Sequence, residues 1–196
     1  MRRFAAAMGM GPETRVLDVG GTPDFWRLLA APPRVTLLNM PRASEALGTG
    51  SSWVAGDGRS LPFRDGAFEV VFSNSVIEHV GDRESQARFA GEIMRVGRRF
   101  WVQTPNRWFP LEQHLLLPLA HWLPHGWQRG LAPRLSLVRF ALGLSPDRLA
   151  FYLRHYLEEI RLLDAAGLRA LFPGARLLRE RFCGWTKSLV VYSEMK

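Results

Sequence analysis

Three short polar clusters, each closing an apolar run, gather the groups in this sequence best able to hold a ligand. The first is Asp18-Val-Gly-Gly-Thr22, reached from Arg15-Val-Leu17. Glycine has no Cβ, so a ligand can lie against the backbone at Gly20 and Gly21. Asn39 closes the second run, 19 residues after Gly20. That is near the ~20-residue offset at which a side chain meets a ribose hydroxyl in nucleotide-binding units. A carboxylate would accept that bond more strongly, but an Asn amide oxygen also accepts it. The third cluster, Gly56-Asp57-Gly58, offers a carboxylate and a backbone amide to the edge of a base. Each cluster alone is an ordinary turn. Their order along three successive runs points to an adenosine-containing ligand. The G-x-G-x-x-G dinucleotide pattern is absent, which argues against the rival reading of a nicotinamide-dependent oxidoreductase.

Positioning such clusters on one edge requires strands that all end there. Short β-branched runs at 15–20, 35–39, 53–55, 68–72 and 100–103 alternate with amphipathic stretches. This is the pattern of a doubly wound, mostly parallel α/β sheet with helices on both faces. Thr22 can cap a helix with Pro23 at its first position and Asp24 in its first turn, running through Phe25, Trp26, Leu28 and Leu29 to Pro32-Pro33. A second helix spans about 82–96, with Phe89, Ala90, Ile93 and Val96 on one stripe and Gly97 as its stop. Asp164 caps a short helix through Leu168, Leu171 and Phe172. Two last strands, 175–182 and 188–192, flank a turn at Gly184 and form an antiparallel hairpin. From 107 to 157 the strand pattern disappears, and a Leu-, Trp-, Pro- and His-rich stretch reads as a helical insertion above the sheet.

The chain has 196 residues, which suits a single domain over 1–196 carrying that insertion at about 107–157. Its one cysteine, Cys183, excludes an internal disulfide, and no Cys/His run has zinc-finger spacing. A formal charge of +8 comes almost wholly from scattered arginines, with no basic run longer than Arg98-Arg99 or Arg2-Arg3, so no nucleic-acid signature emerges. No secretory signal precedes Gly11-Pro12, and the most apolar run, 115–123, is interrupted by Pro118 and His121. The expected location is the cytoplasm, with peripheral membrane contact through 107–130 as an added option.

Four ordered segments resemble the motifs of class I S-adenosylmethionine-dependent methyltransferases, in the broad branch that includes quinone-biosynthesis enzymes. They are Arg15-Val-Leu-Asp-Val-Gly-Gly21, Gly56-Asp-Gly-Arg-Ser-Leu-Pro-Phe63, Phe68-Glu-Val-Val-Phe-Ser-Asn-Ser-Val-Ile-Glu-His-Val80 and Thr104-Pro-Asn106. The resemblance implies a seven-stranded sheet whose last strand is antiparallel and a bound S-adenosyl-L-methionine. It further implies Asp18 and Gly20 near the methionine part, Asn39 near the ribose, Asp57 and Gly58 at the adenine, and Ser73 and Asn74 on the sulfonium side, with Gly21 also among the cofactor-binding residues. This chain departs from the family pattern at Thr22 and Asp24, where glycines are usual, and at Asn39, where an acid is usual. Those departures keep a third reading open, a non-catalytic interaction protein that retains the fold.

The cofactor such enzymes use arrives already activated, so the protein must mainly align the acceptor, helped by a base when the acceptor is a hydroxyl. His79, after the fourth strand, is the candidate base; local packing at a helix start is its alternative role. The expected acceptor is a small or lipid-like molecule methylated on oxygen. Nucleobase amino-methylation is disfavoured, because Ser73-Asn74-Ser75 stands where relatives doing it carry a prolyl-aromatic motif. Glu78-His79 also matches half of a metal-binding pattern seen in some relatives, whose further Glu corresponds to Ser75 here. Glu112 and His114 could complete a site if the insertion folds back. Without the missing carboxylate, a structural role for Glu78 is the primary reading and no metal is assigned. Trp108, Phe109, Trp122 and Trp127 lie among Leu115, Leu116, Leu117 and Leu119, as core residues or as a lid over an apolar acceptor.

Overall fold

The protein is described by a computed structural model that covers residues 2–27, 29–40 and 52–193. In β1 (Arg15–Val19) successive side chains point to opposite faces, and both faces are apolar: Val16 packs on one side, Leu17 and Val19 on the other. The same alternation continues in β2 (Arg34–Asn39), β4 (Phe68–Asn74) and β5 (Gly97–Pro105), so these strands are covered on both sides. One layer holds α1 (Arg2–Met8) and α2 (Pro23–Trp26), which bury Phe4, Met8 and Trp26 against Val16, Val70, Phe72 and Trp101. The other holds α3 (Arg83–Val96), whose Phe89, Ala90, Ile93 and Val96 are all buried on the predicted stripe. Each large apolar side chain so buried stabilises the fold by about 1.5–3 kcal/mol relative to exposure.

With β3 (Ser52–Ala55), β8 (Arg176–Phe182) and β9 (Trp185–Tyr192), the strands form one seven-stranded sheet in the order β3-β2-β1-β4-β5-β9-β8. All pairings are parallel except those of β9, which runs antiparallel to both β5 and β8. The expected doubly wound sheet with its antiparallel last strand is therefore present. Strand order reverses between β1 and β4, and a crevice opens there at the carboxyl ends.

Three local expectations need revision. The helix after β1 is a single turn ending at Trp26, and the Thr22 side chain makes no capping bond. Its indole is fastened to β1 through Asp18, so one turn is enough to bring the chain back; Leu28, expected in this helix, lies outside the described residues. Gly97 is not a left-handed stop. It is extended, opens β5 three residues earlier than expected, and sits where a Cβ would lie 2.7 Å from the Arg99 carbonyl and from Val71. The insertion is mainly helical, with α4 (His125–Leu135), α5 (Val138–Ala141) and α6 (Pro146–Glu159), but it begins with a two-residue ladder between β6 (Leu111–Glu112) and β7 (Leu117–Pro118).

The insertion has its own core of Leu115, Ala120, Ala132, Val138, Leu149, Leu153 and Tyr156. Its tryptophans are not core residues: Trp108, Trp122 and Trp127 are 55%, 41% and 65% exposed, whereas Phe109 is buried. Arg107 N–H donates to the Leu163 carbonyl, closing the insertion's two ends together ahead of α7 (Ala165–Leu171), which Asp164 caps as predicted. Among the described residues no helix is long and apolar enough to cross a membrane.

Candidate functional site

Asp18 projects from β1 toward α2 and is fully buried. Its Oδ2 accepts a 2.7 Å hydrogen bond from the Trp26 indole N–H, while Oδ1 has no partner among the described residues. Burial pushes its pKa up to about 7, against the opposing pull of the Trp26 bond. This carboxylate accounts for Gly21, where a Cβ would stand 1.7 Å from Oδ2. Gly20 adopts φ +82°, and a Cβ there would meet Val76 Cγ2 at 2.4 Å; at Gly58 it would meet Phe89 at 2.6 Å. These glycines are required first by the protein's own side chains, a demand that the expectation of ligand approach did not include. Asn39 Nδ2–H donates to the Gly21 carbonyl at 2.9 Å, tying the β1 and β2 loops and leaving the amide oxygen as an acceptor.

Asp57 and Gly58 follow β3. The Asp57 carboxylate takes the Arg59 backbone N–H at 2.8 Å and its guanidinium at 2.6–3.0 Å, which holds the Asp57 pKa below the usual carboxylate value. A carboxylate has about four lone-pair sites, and the Arg59 contacts occupy most of them, so this pairing fixes Asp57 and leaves little acceptor capacity over. Ser73 is buried, with its hydroxyl donating to the Val19 carbonyl; Asn74 is exposed at the end of β4. Neither reaches the cavity, which the next two residues, Ser75 and Val76, line instead.

That cavity occupies the switch point and measures about 610 Å³, within the ~300–1,000 Å³ usual for small-molecule sites. Gly20, Asn39, Asp57, Gly58 and His79 all line it, so loops separated by almost sixty residues converge as predicted. Asp18, Gly21 and Ser73 do not line it. The sequence reading missed Arg59, Ser75, Gly81 and Glu159. Arg59 was legible in principle, since an Asp-x-Arg spacing lets the guanidinium fold back on the acid. Glu159 was not, because it arrives from the far end of the insertion.

Beyond His79 a second cluster begins. Glu78 and His79 lie in a 3₁₀ turn after β4, with Glu78 fully buried. Thr104 Oγ1–H donates to Glu78 Oε2 at 2.9 Å, while Oε1 has no partner among the described residues. Burial pushes the Glu78 pKa up to about 7. His79 is pulled down to about 4, chiefly by burial and then by His114 and His155, so it is neutral at pH 7. His114 packs edge-on to His79 with ring centroids 5.1 Å apart. Its Nδ1–H donates to Glu112 Oε1 at 2.8 Å, and Glu112 Oε2 accepts the Leu115 N–H. Burial lowers the His114 pKa, but the bond to Glu112 and that carboxylate's charge carry it above the ordinary value. The insertion does fold back, and it brings His114 to the Glu78-His79 pair.

Residues 15–99 match the family described as "Methyltransferase domain". An 89-residue stretch is 38% identical to an uncharacterized methyltransferase of Mycobacterium sp. (strain JLS), covering 42% of this chain and 34% of the relative. The match thus spans about a third of the length of that curated relative. Two solved structures align along the whole chain at 14% identity. A protein of Rhodobacter sphaeroides described as a putative Zn-dependent alcohol dehydrogenase has a TM-score of 0.65, covering 100% of this chain and 90% of that one. A SAM-dependent methyltransferase of Methanosarcina mazei has a TM-score of 0.60, covering 99% and 97%. At that identity both likenesses concern the fold alone.

Proposed function

We propose that this chain, whose residues 15–99 match the methyltransferase-domain family, is a class I S-adenosylmethionine-dependent methyltransferase that transfers a methyl group to an oxygen of a small or lipid-like acceptor. The observation that carries the reading is the cavity at the strand-order switch, where the β1, β2 and β3 loops meet with His79 on its wall. The residues present fit the cofactor. Gly20, Asn39, Asp57 and Gly58 border the cavity, Asn39 keeps an acceptor oxygen and Arg59 fixes the Asp57 carboxylate at its edge. Behind them, Asp18 holds an unpartnered buried oxygen under the first loop. Bound there, S-adenosylmethionine supplies an electrophilic methyl group on a sulfonium.

Each side chain then has a definite task. Asn39 fixes the first loop through the Gly21 carbonyl. Arg59 holds the Asp57 carboxylate in place for an adenine edge. Asp18, Gly21 and Ser73 support the loops from behind, and Asn74 stands at the rim. Neutral His79 can accept a hydroxyl proton as the acceptor oxygen bonds to the methyl carbon. The exposed Trp108, Leu119, Trp122 and Trp127 suit an apolar acceptor or the membrane surface that carries it.

One feature favours the non-catalytic reading. The Asn39 amide and the Asp57 carboxylate are both engaged within the protein. Calorimetric titration with S-adenosylhomocysteine decides between the two. Saturable binding is expected, with loss in Asp57→Ala and Gly20→Val; absence of heat at millimolar ligand would sink the methyl-transfer reading. With an acceptor in hand, His79→Ala should slow turnover by about 10²–10⁴-fold with cofactor affinity unchanged.

A further inference from the structure

We propose that Glu78, His79 and His114 form a binding site for a divalent transition ion of the Zn²⁺ type, joining the insertion to the ligand edge of the sheet. A carboxylate oxygen of Glu78 and one ring nitrogen each of His79 and His114 lie within 4.8 Å of one another. Glu78 and His79 come from the turn after β4, and His114 from the loop between β6 and β7.

The cluster is prepared in a way that packing alone does not explain. Glu78 Oε1 is buried and has no hydrogen-bond partner among the described residues, although Thr104 fixes the same carboxylate through its other oxygen. A buried acceptor left empty is costly. Protonating it does not remove the problem. The new O–H would need an acceptor, and His79 Nε2 at 4.0 Å is out of hydrogen-bonding range.

His114 is oriented from behind. Its Nδ1–H is held by Glu112, whose second oxygen takes the Leu115 N–H, and the His114 carbonyl accepts the Tyr152 hydroxyl. In the neutral imidazole this bond places the proton on Nδ1 and leaves Nε2 to face an ion. Carboxylate behind histidine is the outer-shell arrangement that orients imidazole ligands in metal sites. Ser75 supplies no carboxylate, and its hydroxyl donates to Gln103. The third ligand comes instead from the insertion.

Two imidazoles and one carboxylate match the three-ligand sets of tetrahedral zinc sites, whose fourth position stays open. Magnesium and calcium prefer oxygen throughout. Ligand atoms around a tetrahedral ion with bonds of ~2.0–2.1 Å stand roughly 3.4 Å apart. The 4.0 Å between Glu78 Oε1 and His79 Nε2 closes to that by a small side-chain adjustment. Because His79 lines the cavity, the open position borders the acceptor side. An acceptor hydroxyl bound there would lose its proton to water, and His79, as a ligand, would no longer take it. That consequence rests on the methyl-transfer reading; ion binding does not.

The test uses the untagged, chelator-stripped 196-residue chain titrated with Co²⁺, read by visible d–d absorption, and with Zn²⁺ by calorimetry. One ion per chain is expected. Glu78→Gln and His114→Ala should each weaken binding by at least about 10²-fold, and the shape-conserving Glu112→Gln by about 10–100-fold. No saturable uptake overturns the site, as does wild-type affinity in His114→Ala and Glu78→Gln. Should His114→Ala fail to fold, undiminished affinity in Glu112→Gln overturns it equally. S-adenosylhomocysteine binding on the same wild-type sample separates the two readings. Cofactor binding without ion uptake overturns the metal site alone, whereas ion uptake without cofactor binding supports the metal site and counts against methyl transfer.

Discussion

At position 21 an added Cβ would stand 1.7 Å from Asp18 Oδ2, so the carboxylate, and with it the Trp26 indole, must move. Gly21→Ala is expected to cost about 2–3 kcal/mol by overpacking and by loss of a buried hydrogen bond. Gly91, in α3, has nothing within 4 Å of its Cβ position; Gly91→Ala should stabilise by about 0.5–1 kcal/mol through helix propensity. Urea melts of the two variants, moving in opposite directions, test both statements. Asp18 also makes stability depend on pH. Its folded pKa of about 7 lies above the ordinary 3.8, so between these values the folded state keeps a proton that the unfolded chain releases. Stability from this group therefore falls as pH rises from about 4 to about 7 and is level above. The displacement corresponds to about 4 kcal/mol. Glu78 acts with the same sign and His79 with the opposite sign between about 4 and 6.5. Subtracting an Asp18→Asn pH series from the wild-type series isolates Asp18. The difference should shrink by that amount across the window, and parallel curves would show that the carboxyl is solvated.

The insertion is the element with the least attachment to the rest. Its buried residues cluster among themselves and share none with the two sheet cores. Just past its end, Arg161 N–H donates to the Glu78 carbonyl and the Arg161 carbonyl accepts from Gln86 of α3. Local opening follows contact density. Amides across 107–157 should accordingly exchange faster than those of β1, β4 and β5, as a lid admitting an acceptor requires. Hydrogen-exchange mass spectrometry checks this, and protection equal to that of the central strands would remove the lid. Trp122 and Trp127, exposed on this element, should shift their emission when an apolar acceptor binds.

For the whole molecule, the two ends of the insertion meet. Arg107 N–H bonds to the Leu163 carbonyl at 2.9 Å, and Asn106 bridges Leu163. Replacing 110–159 by a short linker should leave a sheet that still unfolds cooperatively, with the helical far-UV signal of α4, α5 and α6 gone and only Glu159 lost from the cavity wall. The terminal hairpin is different. β9 lies between β5 and β8 and buries Leu189, Val190 and Val191. Truncation after Gly184 exposes the edge of β5 and is expected to abolish cooperative unfolding. A stable truncated chain, or an unfolded excised one, would reverse this division of the molecule.

The sequence by itself determined the seven strands of the main sheet, the stripe of α3, the Asp164 cap, the antiparallel hairpin and the edge where Gly20, Asn39, Asp57, Gly58 and His79 meet. Those features rest on local periodicity, capping chemistry and strand order, all written within a few residues or repeated along the chain. Only the tertiary structure decided that Gly21 answers to Asp18, that the helix after β1 stops at Trp26, and that Ser75 rather than Asn74 faces the cavity. It also decided that Glu112 and His114 reach Glu78 and His79, and that Glu159 closes the cavity from α6. Each of these is a contact between segments far apart in sequence or a matter of which way one side chain points. Such contacts depend on how the layers pack in three dimensions, which no pattern within a single segment encodes.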